Sequence, residues 1–138
     1  MSAAAIYERR VEFAETDAAG MVHFSMFFRY MEEAEHAFWR AAGLNIWESG
    51  EDLSWPRISA TFDFKTPLKF QDEFEVHTDM GTVTRSTIQW NHTVKRGDVV
   101  VGSGSVTAVC VKKQSDGTMK SAEIPAQLLS QLRKAVTP

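Results

Sequence analysis

The sequence is poor in the residues that build disulfides and thiolate metal sites. Among 138 residues there is one cysteine, Cys110. A single thiol cannot form an intramolecular disulfide or a cysteine zinc cluster, and it fits a reducing compartment. The four histidines show no close ligand pairing along the chain; they are His23, His36, His77 and His92. We therefore expect no bound metal.

Long hydrophobic runs and an excess of charge of one sign are also lacking. No apolar stretch approaches the roughly 20 residues that cross a bilayer. Charged residues from Glu8 onward leave no room for a signal-peptide core. The net charge of -3 and the pI near 5.8 argue against nucleic acid as a partner. These absences predict a cytoplasmic protein with no membrane span.

Repeats, low-complexity tracts and Pro/Gly/Ser-rich linkers are missing, so residues 1–138 are predicted to form a single domain. The composition, 43% hydrophobic and 24% charged, is close to the globular average. A chain of this length buries about two-thirds of its unfolded surface, which is enough for a core without covalent staples.

One segment, residues 25–42, has helical periodicity. Ser25 is a plausible N-cap and Gly43 a plausible C-terminal stop. The stripe at helical spacing consists of Phe27, Tyr30, Met31, Ala34, Phe38 and Ala41. This pattern predicts one long helix with an apolar face that needs a cover. Residues 124–136 are predicted to form a short terminal helix.

Strand-like alternation occupies most of the remaining chain. Residues 7–13 form one amphipathic segment, and four more follow at 57–65, 73–80, 88–94 and 99–111. We expect these four to form an antiparallel meander that the first strand joins. A sheet curled around the long helix is the economical arrangement. The predicted class is α+β.

The common catalytic signatures are absent, including the G-x-S-x-G elbow, the Walker loop, H-E-x-x-H and the dinucleotide fingerprint. What remains is the loop of residues 17–25, which leads into the long helix. Asp17 supplies a carboxylate there, and the first helical turn supplies unpaired backbone N–H groups suited to an oxyanion. Such a carboxylate can attack an acyl carbonyl or activate water. Equally, Asp before Ala-Ala-Gly is a good turn former.

The motif around this loop carries a family resemblance. FAETDAAGMVHF at residues 13–24, followed by FFRYME at 27–32, resembles the signature of hot-dog-fold acyl-CoA thioesterases, and in particular the 4-hydroxybenzoyl-CoA thioesterase family. The resemblance extends over nearly the whole domain, through Trp55-Pro56 and the turn at 67–72. It implies an antiparallel sheet of about five strands wrapped around one central helix. It also implies hydrolysis of an aryl or short- to medium-chain acyl-CoA, with no cofactor beyond the CoA of the substrate.

The resemblance also implies roles for the loop residues. Asp17 matches the catalytic carboxylate, acting as nucleophile or general base. Phe24 matches the position whose backbone N–H polarises the thioester carbonyl, and Gly20 would let the loop approach the thioester. His23 departs from the Tyr or Trp usual in related branches, so it either orients a water molecule or Asp17, or fills an aromatic slot.

Other candidate binding residues lie further along the chain. Arg85 and Ser86 resemble the family's basic-plus-Ser position beside the pantetheine and phosphates, although a solvated Arg beside a turn is equally expected. The further candidates are Lys95 and Arg96 for phosphate, Glu32 and Glu33 as alternative helix carboxylates, and Trp47, Trp55, Phe62 and Phe64 for an acyl pocket. The acidic helix face is otherwise expected to be solvated or ion-paired.

A single curled sheet leaves an open edge that a symmetric copy would cover. The resemblance implies a homotetramer, a dimer of dimers, with a homodimer as the minimum and each site shared with a neighbour. Two other functions stay open: a non-catalytic acyl-CoA or lipid-binding module, and a hot-dog dehydratase, for which no His and acid pair can be placed.

Overall fold

A five-stranded antiparallel sheet curls around one long helix. The computed structural model describes residues 5–50 and 52–135. The helices are α1 (Met26–Ala41) and α2 (Ala126–Lys134), with 3-10 turns at Phe13–Glu15 and Ile46–Glu48. The strands are β1 (Ala5–Arg10), β2 (Leu53–Ser54), β3 (Arg57–Phe64), β4 (Glu73–Val83), β5 (Thr87–Arg96), β6 (Val99–Val109), β7 (Val111–Lys113) and β8 (Met119–Ser121).

The order of strands in the main sheet is β1-β4-β5-β6-β3. The predicted addition of β1 to the sheet is confirmed. The predicted four-strand meander is wrong in one respect, because β3 does not pair with β4. The connection at residues 65–72 instead carries the chain across, so that β1 takes the edge of β4 and β3 pairs with β6. Strand β3 therefore forms an outer edge of the sheet.

The long helix lies where the periodicity predicts it. Its buried residues include Phe27, Tyr30, Met31, Ala34 and Phe38. Ala41 is exposed at the helix end, while Trp39 and Glu35 are buried. The predicted stop at Gly43 is confirmed by its φ of +76°, a left-handed conformation that favours glycine.

The core is divided into two apolar clusters along the same elements. Each of α1, β4 and β5 changes from one cluster to the other at a buried polar residue: Glu35, Thr78 and His92 respectively. The Oγ1 of Thr78 and the Nδ1 of His92 are 2.8 Å apart and share a hydrogen bond. Burial lowers the pKa of His92 to about 3, so this imidazole is neutral. A polar layer thus crosses the middle of the core.

The element ends differ in detail from the sequence expectations. The first strand ends at Arg10, and Phe13 lies in a 3-10 turn with its side chain 73% exposed. A second, small sheet of order β2-β7-β8 has strands of only two or three residues. The last helix is confirmed as α2, and Val136, in its predicted range, lies outside the described residues. Over the described ranges, no helix has the length and apolarity needed to cross a bilayer.

Candidate active site

The loop that carries Asp17 is a small hairpin joined to the start of α1. The N–H of Asp17 donates to the carbonyl of Met21 at 2.8 Å, and Thr16 forms a β-bridge with Val22. The N–H of His23 donates to the carbonyl of Glu15 at 2.9 Å. These three backbone pairs hold residues 15–17 antiparallel to residues 21–23. The separation between Asp17 and the helix start is therefore fixed.

The Asp17 carboxylate is bound on one oxygen. Its Oδ1 accepts hydrogen bonds from the N–H groups of Ala19, at 2.9 Å, and Met21, at 3.3 Å. Its Oδ2 receives no hydrogen bond from any residue in the part of the chain that the structure describes. Asp17 is exposed in the single chain. The side chain therefore stabilises the turn through Oδ1 and leaves Oδ2 without a hydrogen-bond partner among the described residues.

Gly20 is required by conformation and not by space. Its φ is +80°, and a Cβ at this position would meet nothing within 4 Å. Its N–H donates to the carbonyl of Asp17 at 3.0 Å, which closes the turn. A side chain would be strained in this left-handed conformation although it would have room.

The start of α1 presents a free donor next to this hairpin. Within residues 5–50 and 52–135, the N–H of Phe24 has no hydrogen-bond acceptor. The following N–H, that of Ser25, donates to the Nδ1 of His23 at 3.3 Å. Because the helix dipole is positive at this end, the Phe24 N–H suits an anionic oxygen.

His23 caps the helix start, a role that the sequence patterns did not predict. Its Nδ1 accepts from the backbone of Ser25 and lies 2.8 Å from the Ser25 hydroxyl. Since a backbone N–H can only donate, Nδ1 must be the unprotonated nitrogen and Nε2 carries the hydrogen. Ser25 precedes the helix as expected, but its side chain makes no capping bond of its own to the helix.

An apolar cavity of about 320 Å³ opens beside the helix start. Its lining includes Phe24, Phe27, Phe64, Leu68 and Lys65. The ring of Phe27 stacks on that of Phe62, with centroids 4.8 Å apart, and contacts that of Phe64 edge-on. Of the four aromatic residues considered for an acyl pocket, Phe64 lies in this cavity. Trp47 and Trp55 line a different cavity, together with Arg57.

The acidic face of α1 is ion-paired, as one of the two expectations had it, but Glu35 within it is buried. Glu35 is 1% exposed; its Oε1 pairs with the Arg57 guanidinium at 2.9 Å, and its Oε2 accepts from the Trp39 indole at 3.2 Å. Burial raises the pKa of Glu35 to about 7, despite the Arg57 charge. Glu32, 3.9 Å from the same guanidinium, lines the Trp47 cavity and a second one beside Met26 and Phe28, and Arg57 lines both. Glu33 binds Arg9 instead.

The residues predicted to bind the CoA end divide between two ends of the sheet. Arg85 and Ser86 lie in the turn between β4 and β5, where their carbonyls accept from the N–H groups of Ile124 and Cys110. The Asp17 hairpin lies at the other end of β4, which it approaches through a bridge between Met21 and Lys69. Eleven residues of β4 separate these ends, on the order of 30 Å at about 3.3 Å per residue.

Two further basic candidates lie near the hairpin end. Arg96 is held by the Pro67 carbonyl at 3.0 Å and by the Asp72 carboxylate at 3.3 Å. Lys95 is paired in register with Glu75 across β4 and β5. Arg96 is thus already engaged in fixing the loop before β4. Within the described residues, no group of three or more His, Cys, Asp or Glu side chains could hold a metal ion.

Comparisons with known proteins agree with this architecture. A family model described as the thioesterase-like superfamily matches residues 11–132. A 1,4-dihydroxy-2-naphthoyl-CoA hydrolase of Trichodesmium erythraeum is 31% identical over 130 residues, covering 90% of this chain and 94% of that protein.

Solved structures are similar over nearly the full length. The crystal structure of a hypothetical protein from Aquifex aeolicus superposes with a TM-score of 0.83 at 35% identity, covering 92% of this chain and 98% of that one. A 4-hydroxybenzoyl-CoA thioesterase in complex with 4-hydroxybenzoyl-CoA superposes with a TM-score of 0.83 at 20% identity, covering 92% and 96%. The α+β hot-dog fold expected from the sequence motif is confirmed.

Proposed function

Because the chain belongs to the thioesterase-like superfamily, a family that includes enzymes of thioester hydrolysis, we propose that it is an acyl-CoA thioesterase in which Asp17 and the Phe24 N–H form the catalytic centre. The products are a free carboxylic acid and CoA. No cofactor takes part, since a carboxylate and a backbone donor suffice for acyl transfer to water.

The observation that carries this proposal is the unpaired N–H of Phe24, which directly follows the segment, residues 21–23, that the hairpin pairs with residues 15–17. A thioester carbonyl oxygen that accepts from this N–H would lie next to the hairpin that carries the Asp17 carboxylate. As the carbonyl becomes tetrahedral, charge develops on its oxygen. The fixed N–H and the positive helix end stabilise that charge more strongly than they stabilise the neutral carbonyl.

Two routes start from this arrangement. In the first, the Asp17 carboxylate attacks the thioester carbon, the CoA thiolate leaves, and water hydrolyses the resulting mixed anhydride. In the second, Asp17 removes a proton from a water molecule, and that water attacks the same carbon. Both routes pass through an oxyanion that the Phe24 N–H stabilises.

We propose an aryl acyl group as the preferred substrate, ahead of short- and medium-chain fatty acyl groups. The cavity of about 320 Å³ beside the Phe24 N–H has the three phenyl rings of Phe24, Phe27 and Phe64 in its wall. Flat apolar walls favour a ring through stacking and edge contacts. The hydrolase of Trichodesmium erythraeum and the 4-hydroxybenzoyl-CoA thioesterase are named for hydroxyaryl thioesters, which supports the same class.

The remaining site residues act on binding in this proposal. Gly20 lets the loop turn without a side chain beside the thioester, and His23 offers its Nε2–H to the substrate while its Nδ1 caps the helix. Arg85 and Ser86 bind the pantetheine and phosphates from a neighbouring protomer, because within one chain they lie on the order of 30 Å from the hairpin.

A homodimer is the smallest form that this proposal allows, and a dimer of dimers is the form that we favour. Edge strand β3 carries large apolar side chains that are exposed in the single chain, with Ile58 61% and Phe64 53% exposed. Such an edge requires cover, and pairing with a second copy would bring Phe64, and with it the acyl cavity, to the interface.

The substitution Asp17→Asn tests the proposal. The amide keeps the shape of the turn and its Oδ1 acceptor but can neither attack nor remove a proton. We expect kcat to fall by about 100-fold or more, measured as thiol release from benzoyl-CoA, 4-hydroxybenzoyl-CoA, 1,4-dihydroxy-2-naphthoyl-CoA, butyryl-CoA and octanoyl-CoA. Asp116→Asn is the matched control, because Asp116 also accepts from loop donors, those of Thr118, far along the chain. Unchanged turnover in Asp17→Asn would contradict the mechanism.

Single-turnover hydrolysis in 18O-labelled water separates the two routes. General-base catalysis places the label in the product acid. The anhydride route, with water attacking the Asp17 carbonyl, leaves it in the protein instead.

A non-catalytic acyl-CoA-binding module is the second candidate. The observation that favours it is that Asp17 is exposed and bonded to its own loop, as a turn former would be. Such a module would bind acyl-CoA tightly with no thiol release from any of the five esters, and Asp17→Asn would leave that affinity unchanged.

A further inference from the structure

We propose that Glu15, clamped by Arg9 and Tyr30, is a positioning residue that sets the geometry between the Asp17 carboxylate and the Phe24 N–H. This inference rests on the proposed function and concerns how the same site is held. Glu15 itself contacts neither substrate nor the reacting atoms.

The Glu15 carboxylate is enclosed by strong donors. Both of its oxygens lie within 2.7 Å of the Arg9 Nη2, at 2.7 and 2.6 Å. The Tyr30 hydroxyl donates to Oε1 at 2.9 Å, and the Glu12 N–H donates to the same oxygen at 2.9 Å. The Glu15 side chain is only 12% exposed, so these bonds are shielded from water and the carboxylate has a single position.

Arg9 is fixed in its turn by β1 and α1. Its Nη1 donates to the Oε1 of Glu33 at 2.6 Å, and that oxygen also accepts from the Tyr7 hydroxyl at 3.0 Å. The guanidinium lies over the Tyr30 ring, with its Cζ 4.7 Å from the ring centroid. Arg9 therefore joins strand, helix and hairpin in one ionic network.

The two side chains that donate to Glu15 keep their protons. Burial acts to lower the pKa of Arg9, but its hydrogen bonds to Glu33 and Glu15 raise it overall, so Arg9 stays a cation. Burial and the hydrogen bond to Glu15 raise the pKa of Tyr30 well above its ordinary value, so its hydroxyl remains a donor. Arg9 and Tyr30 therefore both remain hydrogen-bond donors to the Glu15 side chain.

The backbone of Glu15 connects this clamp to both catalytic groups. Its carbonyl accepts from the His23 N–H at 2.9 Å, which is the last backbone pair before the free N–H of Phe24. In the other direction, Asp17 lies two residues beyond Glu15. A shift of Glu15 would move the carboxylate relative to the N–H, and a misplacement of about 1 Å can cost about 100-fold in rate.

The test is a double-mutant cycle between Glu15→Gln and Asp17→Asn. We expect Glu15→Gln alone to lower kcat by about tenfold or more with KM within about threefold, because the cavity is untouched. In the Asp17→Asn background the same change should lower the residual rate by less than about twofold, since the carboxylate it positions is gone. A merely structural role would reduce the active fraction equally in both backgrounds.

Two further variants keep the test decisive if Glu15→Gln is poorly folded. Tyr30→Phe removes one donor to Glu15 and retains the ring, and we expect the same selective loss of kcat at a smaller scale. Glu73→Gln is the matched control, because Glu73 pairs with Arg10, next to Arg9 on β1, and lies outside the network that holds Glu15. It should leave kcat within about twofold.

The outcomes separate the two proposals. Full activity of Asp17→Asn overturns the proposed function and with it this inference. An inactive Asp17→Asn together with wild-type kcat in both Glu15→Gln and Tyr30→Phe overturns the positioning role alone. Equal losses in both backgrounds of the cycle also overturn it.

Discussion

The carboxyl group of Glu35, on the central helix, makes the free energy of unfolding depend on pH. This group is buried, and its acceptors are occupied by the Arg57 guanidinium and the Trp39 indole. Burial disfavours the carboxylate more than the Arg57 charge favours it, so the pKa rises to about 7 from an ordinary 4.5. In this pH interval the folded protein holds a proton that the unfolded chain has lost.

The sign of the resulting pH dependence follows from that proton. Its contribution to the free energy of unfolding is fully present below about pH 4.5 and is lost as the pH rises through about 7. The total is about 3 kcal/mol. Glu35→Gln cannot titrate, and its single amide oxygen still accepts from either Arg57 or Trp39. We expect the stability difference, wild type minus variant, to fall by about 3 kcal/mol between pH 4.5 and 8, measured by urea unfolding.

Glu32→Gln provides the control for this measurement. Glu32 faces the same guanidinium at 3.9 Å, but its side chain is 46% exposed. Glu32→Gln retains the Glu35 carboxyl group, so its free energy of unfolding should keep the fall between pH 4.5 and 8 that Glu35 contributes. Parallel curves for wild type and Glu35→Gln would mean that Glu35 is ionised in the folded protein throughout.

At this scale, the sequence predicts what is local. The Asp17 turn and the left-handed Gly20 follow from neighbouring residues, so DAAG was sufficient to predict a turn. The ion pair between Glu35 and Arg57 joins residues 22 positions apart on different elements. Arg9 likewise reaches Glu33 from 24 positions away. No pattern along the chain marks either pair, because both depend on how the sheet curls around α1.

At the scale of elements, periodicity predicts which helices and strands form better than it predicts which strands pair. The helix was predictable because its apolar stripe repeats over four turns. The pairing of β3 with β6 was not predictable, because strands adjacent in sequence usually pair. The alternation of apolar and polar residues along β3 is the same whichever strand lies beside it. The strands β2, β7 and β8 are too short for alternation to be recognised.

The glycines of β6 are a local sign of its pairing with β3. A Cβ at Gly104 would fall on the Thr61 carbonyl oxygen of β3 and lie 2.8 Å from the Phe62 ring. A backbone atom in a paired strand cannot move aside cheaply. We expect Gly104→Ala to lower the free energy of unfolding by about 1 to 3 kcal/mol in urea titrations.

Gly81→Ala is the matched control for this prediction, since Gly81 also lies within a strand. There the added Cβ would meet the ends of the Gln89 and Asn91 side chains, which can rotate away. Its cost should stay below about 1 kcal/mol. Equal losses of unfolding free energy in the two variants would contradict this prediction. They would show that the β3 backbone moves aside as easily as a flexible side chain.

At the scale of the whole molecule, two features of a single chain support the proposed assembly. The edge strand β3 carries exposed Ile58 and Phe64, and Phe24 beside the acyl cavity is 62% exposed. The proposed CoA-binding turn at Arg85 and Ser86 lies at the opposite end of β4 from the Asp17 hairpin. A second copy paired along β3 would cover these exposed apolar side chains. A neighbouring protomer would supply the CoA-binding turn.

Ile58→Glu tests this dependence on assembly. A carboxylate on the edge strand would have to be desolvated on pairing, which opposes association. We expect the molar mass measured by light scattering to fall to that of one chain, with thiol release from aryl-CoA falling by at least about tenfold. Because Ile58 is 61% exposed, the folded protomer itself should survive, as its unfolding transition would report.

Met119→Glu is the control, because Met119 is a similarly exposed apolar residue, 52% exposed, on β8 of the small sheet. It should leave both mass and turnover unchanged. If Ile58→Glu is monomeric and fully active, a single chain holds a complete site, and the phosphates of CoA must then be bound by groups near the hairpin. Lys65 and Lys69 would be the first residues to substitute, since one lines the acyl cavity and the other pairs with Met21 beside Asp17.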